Sequence, residues 1–280
     1  MKVKKLETIK FDIIVDCFLK SFENYYIKVP TDKSYYKNRW KIAKVDYALS
    51  YGMFDGEKLV GFIINAVDNR KGEKIAFNTG TGVLPEYRGK RIIKTIYDFA
   101  IPDLKINGVT KCSLEVIIEN TKAIKSYQSI GFEICKTFNC FNGKININSY
   151  EKIELKKVDY SIFDWENLPN QKSYSWDFKS EVIKNGDYEY YQIIKNDFIE
   201  SYFVINTKNE YLAQFEILKY SDRCFHRLFQ GIRDVSSSIK IINVDSKLSK
   251  KIEFINSIEL SNTINQYEME MNIQTEANTV

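Results

Sequence analysis

The chain contains a single histidine, His226, in 280 residues, and that scarcity excludes two common chemistries. No conventional Ser-His-Asp triad can be assembled, and a His-based metal centre is not expected, so no metal site is assigned. The cysteines Cys17, Cys112, Cys135, Cys140 and Cys224 are odd in number and show no C-x-x-C spacing. Neither a disulfide framework nor a structural zinc is therefore expected, and reduced thiols in a cytoplasmic protein fit better. No block of Lys and Arg stands out and the net charge is only +4, which argues against a dedicated nucleic-acid binder. Long apolar runs are also missing. The start, Met1-Lys2-Val3-Lys4-Lys5, is charged, and Phe11 to Asp16 is broken by acids, so neither a signal peptide nor a membrane span is expected.

What is present is the balance of a globular chain: 44% hydrophobic and 28% charged residues, with 19 Tyr and 18 Phe to fill a sizeable core. The length suits two domains of ordinary size. Ile14, Cys17 and Phe18 recur at helical spacing in Asp12–Phe22. Tyr47–Phe54 reads as a strand, Asp55-Gly56 as a hairpin turn and Leu59–Ile64 as the partner strand. After a turn at Asn69–Gly72, a third strand runs over about 74–84. Arg88–Ile106 reads as a helix with Ile92, Ile96 and Phe99 inside, kinked or ended early by Pro102. Ser113–Ile118 is a short buried strand, and Thr121–Ile130 a helix closed by Gly131. Two strands, about 132–141 and 145–155, are expected to turn at Asn142-Gly143. The pattern is α+β, a mixed sheet flanked by helices.

The second half echoes the first. Pro30-x-x-Lys33-Ser34-Tyr35 recurs 139 residues on as Pro169-x-x-Lys172-Ser173-Tyr174, and Phe62-Ile63-Ile64-Asn65 recurs as Phe203-Val204-Ile205-Asn206. Asp46-Tyr47 likewise recurs as Asp187-Tyr188. These echoes predict a diverged duplication, with domains over 1–157 and 158–273 and a polar tail over 274–280.

Between them, two segments carry candidate chemistry. Gly82-Val83-Leu84-Pro85-Glu86-Tyr87-Arg88-Gly89-Lys90-Arg91-Ile92-Ile93-Lys94 passes from a strand through a turn into a helix. The unbonded amides of a helix's first turn and its dipole favour an anion, and Arg88, Lys90, Arg91 and Lys94 add positive charge. Farther on, Leu114-Glu115-Val116, Asn120, Ala123, Tyr127 and Gly131-Phe132 form a second pattern. Asn120 is placed to cap its helix, and Tyr127 lies two turns later on the same side. Glu115 points opposite to its apolar neighbours on the strand.

The first segment resembles the acyl-CoA-binding motif of the GNAT N-acetyltransferase superfamily through Val83, Pro85, Arg88 and Gly89. The second is similar to that family's L-E-V-x-x-x-N-x-x-A-x-x-x-Y-x-x-x-G-F signature at eight positions. The resemblance implies a GNAT-type central sheet over about residues 1–156, and the echo extends it to two tandem GNAT-like units, the second degenerate. It also implies acetyl-CoA as acyl donor and a primary amine as acceptor. Thr81, Gly82 and Val83 would bond the pantetheine arm through their backbone. The amides from Gly89 through Lys90, Arg91, Ile92 and Ile93 to Lys94 would hold the pyrophosphate, and Asn120 would add a pantetheine contact. Tyr127 would protonate the leaving thiolate, and Glu115 would take the proton of the amine. The sequence departs from the family pattern at Arg91 and Ile93, where glycines are usual.

In the second half, a shift of 128 places Asn243, Leu248 and Ile255 opposite Glu115, Asn120 and Tyr127, so that half is expected to lack acyl-CoA chemistry. The alternative for the whole chain is a non-catalytic acyl-CoA-binding or regulatory module. The acceptor is not named by any motif; Tyr25, Tyr26, Tyr35, Tyr36 and Trp40 could form an aromatic wall against it. Monomer and homodimer both remain open.

Overall fold

The computed structural model describes residues 1–147 and 151–273, and the expected tail over 274–280 lies outside them. The chain divides into two compact units, Met1–Cys135 with Glu268–Val280, and Lys136–Tyr267. The sequence-derived boundary at 157 and 158 thus falls inside the second unit. The last segment of the chain belongs to the first unit, a long-range pairing that no local pattern announces.

The first unit opens with β1 (Lys2–Lys5), α1 (Phe11–Ser21) and α2 (Lys33–Ile42). Ile14, Val15, Cys17 and Phe18 form the buried stripe of α1. The strands β2 (Tyr51–Asp55), β3 (Lys58–Arg70) and β4 (Glu73–Val83) form an antiparallel meander, turning first at Gly56 with φ +59°. Tyr47–Leu49 is a 3₁₀ turn capped by Asp46, so the first strand starts later than expected. The helix α3 (Ile92–Ile106), β5 (Lys111–Ile117), α4 (Thr121–Gln128) and the start of β6 (Glu133–Lys144) follow. β5 runs parallel to β4, so the sheet is mixed.

Pro102 does not end α3, which continues to Ile106. Its ring is exposed, so the orphaned carbonyl one turn back can reach solvent, while Leu104 is fully buried. Burying such a leucine contributes about 1.5–3 kcal/mol, comparable to the ~3 kcal/mol that an interior proline costs a helix. Phe99, expected on the inner face, is 46% exposed; Tyr97 and Ala100 take the core positions instead. Gly131, with φ +116°, ends the turn after α4 as expected, its amide bonding to Tyr127 O and Gln128 O.

The second unit contains most of β6, then β7 (Glu154–Val158), the single turn α5 (Ser180–Ile183), β8 (Glu189–Lys195), β9 (Phe198–Asn206) and β10 (Tyr211–Ile217). The helix α6 (Cys224–Val235), β11 (Ser238–Asp245), α7 (Ser249–Ser257) and β12 (Ser261–Asn262) complete it. Its strand order is β7-β8-β9-β10-β11-β6, with β12 on the other side of β6. The expected hairpin at Asn142-Gly143 is absent: Asn142 pairs with Lys240 on β11 and Ser261 on β12, and Gly143 with Ile239. Pairing on both sides outweighs the local turn preference.

The last strand among the described residues is β13 (Gln266–Asn272), which lies beside β5. In the first unit, Ile273 N–H donates to Thr110 O at 2.8 Å and Lys111 pairs with Glu270 at 3.3 Å.

Candidate active site

A cleft opens in the first unit because β4 and β5 stay paired only as far as Asn78 and Leu114. The cause lies one residue on. β4 carries a bulge between Asn78 and Gly80, with Thr79 the extra residue against β3. A bulge bends its strand and increases the local twist, so Thr79–Val83 turn away from β5. Gly80 and Gly82 face α1: a Cβ at Gly82 would lie 2.6 Å from Phe62 and 2.7 Å from Ser21. Gly82 is therefore small because α1 packs on it, a reason separate from any ligand.

Beyond the cleft the chain turns into α3. The first α3 amide with a backbone acceptor is Thr95, which donates to Arg91 O at 3.0 Å. Among the described residues, no backbone carbonyl accepts from the amides of Gly89 to Lys94. Six successive donors at a helix N-terminus form an anion-binding cradle. Gly89 has φ +77° and open space where a Cβ would stand, so its freedom is needed for conformation.

Arg91 sits just before α3 in the left-handed region (φ 56°, ψ 24°) with its side chain exposed. The position thus demands the conformation that glycine adopts at no cost. An L-residue costs about 1–2 kcal/mol there. Arg91→Gly is expected to leave stability unchanged or raise it by up to about 1 kcal/mol, part of the gain being offset by unfolded-chain entropy. A urea titration checks this; a marked loss would mean that the arginine side chain holds the turn.

The neighbouring cations differ in what they do. Arg88 ties the turn down, donating to Val83 O at 3.3 Å and Ser21 O at 3.0 Å. These two neutral carbonyls fix the guanidinium beside the turn and leave its positive charge there. Lys94 pairs with Asp98 at 2.8 Å, and Lys90 lies 4.9 Å from the Tyr87 ring centroid. Ile93 is half-buried, as its apolar side chain prefers.

Asn120 caps α4, accepting from Ala123 N–H at 3.3 Å, and its side chain also meets the Tyr25 hydroxyl. Tyr127 is 8% exposed and packs edge-on against Phe132 at 5.8 Å. Its phenol faces the Thr81 hydroxyl, which places it at the opening of the cleft. Burial pushes the phenol up to about 12, the Thr81 hydroxyl offsets part of this, and nearby Tyr25 adds to it. Glu115 is half-buried between buried Leu114 and Val116, on the first β5 residue past the last pair with β4. The structure thus brings the Thr81 hydroxyl and the Tyr127 phenol together, leaves Glu115 as the first β5 residue past the β4 pairing, and places the amides of Gly89–Lys94 in the turn after β4.

Sequence reasoning missed Asn78. Its Nδ2 donates to Tyr97 Oη at 2.7 Å and to Thr81 Oγ1. In a regular strand residues three apart face opposite ways; the bulge at Thr79 puts these two on one face. The aromatic wall also divides. Tyr36 and Trp40 are core, packed with Phe18. Tyr26 is 52% exposed and donates to Glu119 O at 3.2 Å. Elsewhere in the first unit, Cys135, Glu268 and Glu270 lie close enough to share an ion, and Lys111 supplies positive charge beside Glu270.

The second unit repeats the backbone but not the side chains. Arg223 precedes α6 at φ 58°, ψ 20°, as Arg91 precedes α3. Leu248 precedes α7 at φ −86°, ψ 59°, against −81° and 60° for Asn120. β10 has its own bulge, between Leu212 and Gln214, and pairs with β11 only at Tyr211 and Lys240. There the equivalent cleft is filled. Lys251, opposite Ala123 at the same shift of 128, ion-pairs with Glu216 on β10 just past its bulge; both are buried, with Tyr174 Oη 3.3 Å from the Lys251 Nζ. Ile255, opposite Tyr127, is fully buried. An open cavity of about 500 Å³ lies between α6 and α7, lined in part by Tyr220, Arg223, His226, Lys250 and Phe254.

A bulged strand splayed from its parallel neighbour, followed by a turn of unbonded amides, defines an anion-cradling cleft in the first unit. The second unit repeats the bulged strand and the left-handed residue before its helix, but there Cys224 N–H donates to Ser221 O at 3.3 Å. The model for the Acetyltransferase (GNAT) family matches residues 12–132, and that segment is a GNAT domain. Solved structures extend the likeness across both units. A tandem GNAT protein from the clavulanic acid biosynthesis pathway aligns over 99% of this chain and 100% of its own, with 9% identity and a TM-score of 0.69. A GCN5-related N-acetyltransferase from Sphaerobacter thermophilus aligns over 94% and 92%, with 8% identity and a TM-score of 0.67. One from Anabaena variabilis aligns over 98% and 73%, with 14% identity and a TM-score of 0.61. At such identities the likeness is one of fold. No curated protein matches the sequence. No helix among the described residues is long and apolar enough to cross a membrane.

Proposed function

We propose that the first unit transfers an acetyl group from acetyl-CoA directly to a primary amine within a ternary complex. The reading is carried by one coincidence: the acceptor-less amides of Gly89–Lys94 adjoin a cleft at whose opening a buried phenol stands. The amides hold the diphosphate, and the open edge of Thr81–Val83 bonds the pantetheine arm as a further strand. Asn120 adds a polar contact to that arm. Glu115, directly or through water, takes the proton that the ammonium must lose before it can attack the thioester. Strand amides near Val83 stabilise the charge on the carbonyl oxygen. Tyr127 then assists departure of the thiolate. The protein works in the cytoplasm, on an amine and without nucleic acid, membrane or metal.

Calorimetry with acetyl-CoA, run beside a thiol-release assay over a panel of polyamines, aminoglycosides, amino acids and peptides, tests this reading. Binding together with thiol release for at least one amine is expected. Binding without release for any amine would favour the non-catalytic alternative. For the second unit that alternative is the better reading, because the Lys251–Glu216 pair occupies the space an acyl arm would need.

A further inference from the structure

Asn78 has an unusually well-determined hydrogen-bond inventory. Its Oδ1 accepts from Gly80 N–H at 3.0 Å, which fixes which way the amide faces. Its two Nδ2 protons are then directed to Tyr97 Oη and Thr81 Oγ1. Tyr97 is itself buried to 1% exposure, so this end of the network is anchored in the core. Thr81 Oγ1, already accepting from Asn78, has one proton of its own to give. The group that its hydroxyl faces is the phenol of Tyr127.

We infer that Asn78 and Thr81 are positioning residues for Tyr127: they direct the Thr81 hydroxyl proton onto the phenol oxygen, leaving the phenol's own proton aimed into the cleft. The inference rests on the acetyl-transfer reading for its chemical use. As the carbon–sulfur bond of the thioester breaks, the Tyr127 O–H bond breaks and an S–H bond forms on coenzyme A. The resulting phenolate accepts from Thr81 and regains a proton from solvent. A hydrogen bond to the charged form favours that form, so the Thr81 donor eases a transfer that burial opposes. Without Asn78 the Thr81 hydroxyl is at liberty to accept instead, and Tyr127 would spend its proton on Thr81.

The test installs 3,5-difluorotyrosine at position 127, whose phenol ionises at milder pH, and follows its titration by fluorine NMR in the free protein. Thr81→Val and Asn78→Asp are each expected to raise that pKa by about one unit, the size of one lost hydrogen bond to the anion. Thr81→Ser, which keeps the hydroxyl, is expected to leave it in place. In the ordinary protein, Thr81→Val and Asn78→Asp should lower kcat about tenfold at nearly constant KM for acetyl-CoA, and Thr81→Ser should restore it. A titration unmoved by Thr81→Val overturns the inference whatever the turnover; should that variant not fold, Asn78→Asp decides on the same readout. A titration that moves while no amine releases thiol upholds the positioning and overturns the transferase reading alone.

Discussion

Replacing Tyr127 with phenylalanine is expected to slow acetyl transfer by about 10²- to 10⁴-fold, the usual contribution of a positioned proton donor, while acetyl-CoA binds nearly as before. The ring would still pack against Phe132, so a fall in turnover without loss of stability isolates the hydroxyl. Its pH dependence follows from the same burial. The phenol is pushed up to about 12, and it must be protonated to act. Turnover should therefore rise with pH as the acceptor amine and its base deprotonate, and Tyr127 should impose no descending limb until the pH approaches that value. A pH–rate profile measured alongside the variant checks both. Equal turnover of variant and wild type would remove Tyr127 from the acid role.

The second large effect concerns stability. Arg227, 1% exposed, donates through Nε and Nη2 to Glu200, which is fully buried, at 2.7 and 2.8 Å. Its Nη1 donates to Glu151 at 2.6 Å. Burial alone would raise the Glu200 carboxyl; the Arg227 guanidinium and the Ser221 hydroxyl more than offset it and hold it below the ordinary range. Arg227→Met keeps most of the volume but leaves Glu200 buried and unpaired, so a loss of about 3–5 kcal/mol is expected. Replacing both partners, as Arg227→Met with Glu200→Leu, should recover most of it, because a buried ion pair is worth little more than apolar groups of its size. Chemical denaturation of the two singles and the double closes the cycle. Because the native Glu200 and Glu151 carboxyls are held low, their contribution is full above the unfolded carboxylate pKa. It should fade as pH falls through the native values.

Much of the first unit was legible because its signals are local. The α1 stripe, the Asp55-Gly56 turn and the Gly131 stop each depend on residues close in sequence. In the pattern from Leu114 to Phe132, Asn120 likewise caps α4 as its place in the sequence predicts. The Leu248 cap and the buried Ile255 fell where the shift of 128 put them. What could not be read depends on distant partners. Asn142-Gly143 has the composition of a turn, yet β11 and β12 hold it extended. Pro102 survives inside α3 because buried neighbours offset its cost. The bulge at Thr79 reverses the facing of every later residue in β4, which hid Asn78. The contacts that fix Arg88 beside the turn, to Val83 O and the distant Ser21 O, likewise belong to the fold and not to the local motif.

The return of β13 to the side of β5 bears on how the protein is made. As the chain leaves the ribosome, everything the first unit needs for its cradle and phenol emerges well before Gln266–Asn272, so its sheet stays one strand short until that segment follows. That unprotected edge is a site for mispairing until β13 arrives. An N-terminal fragment cut at residue 157 would carry the defect permanently.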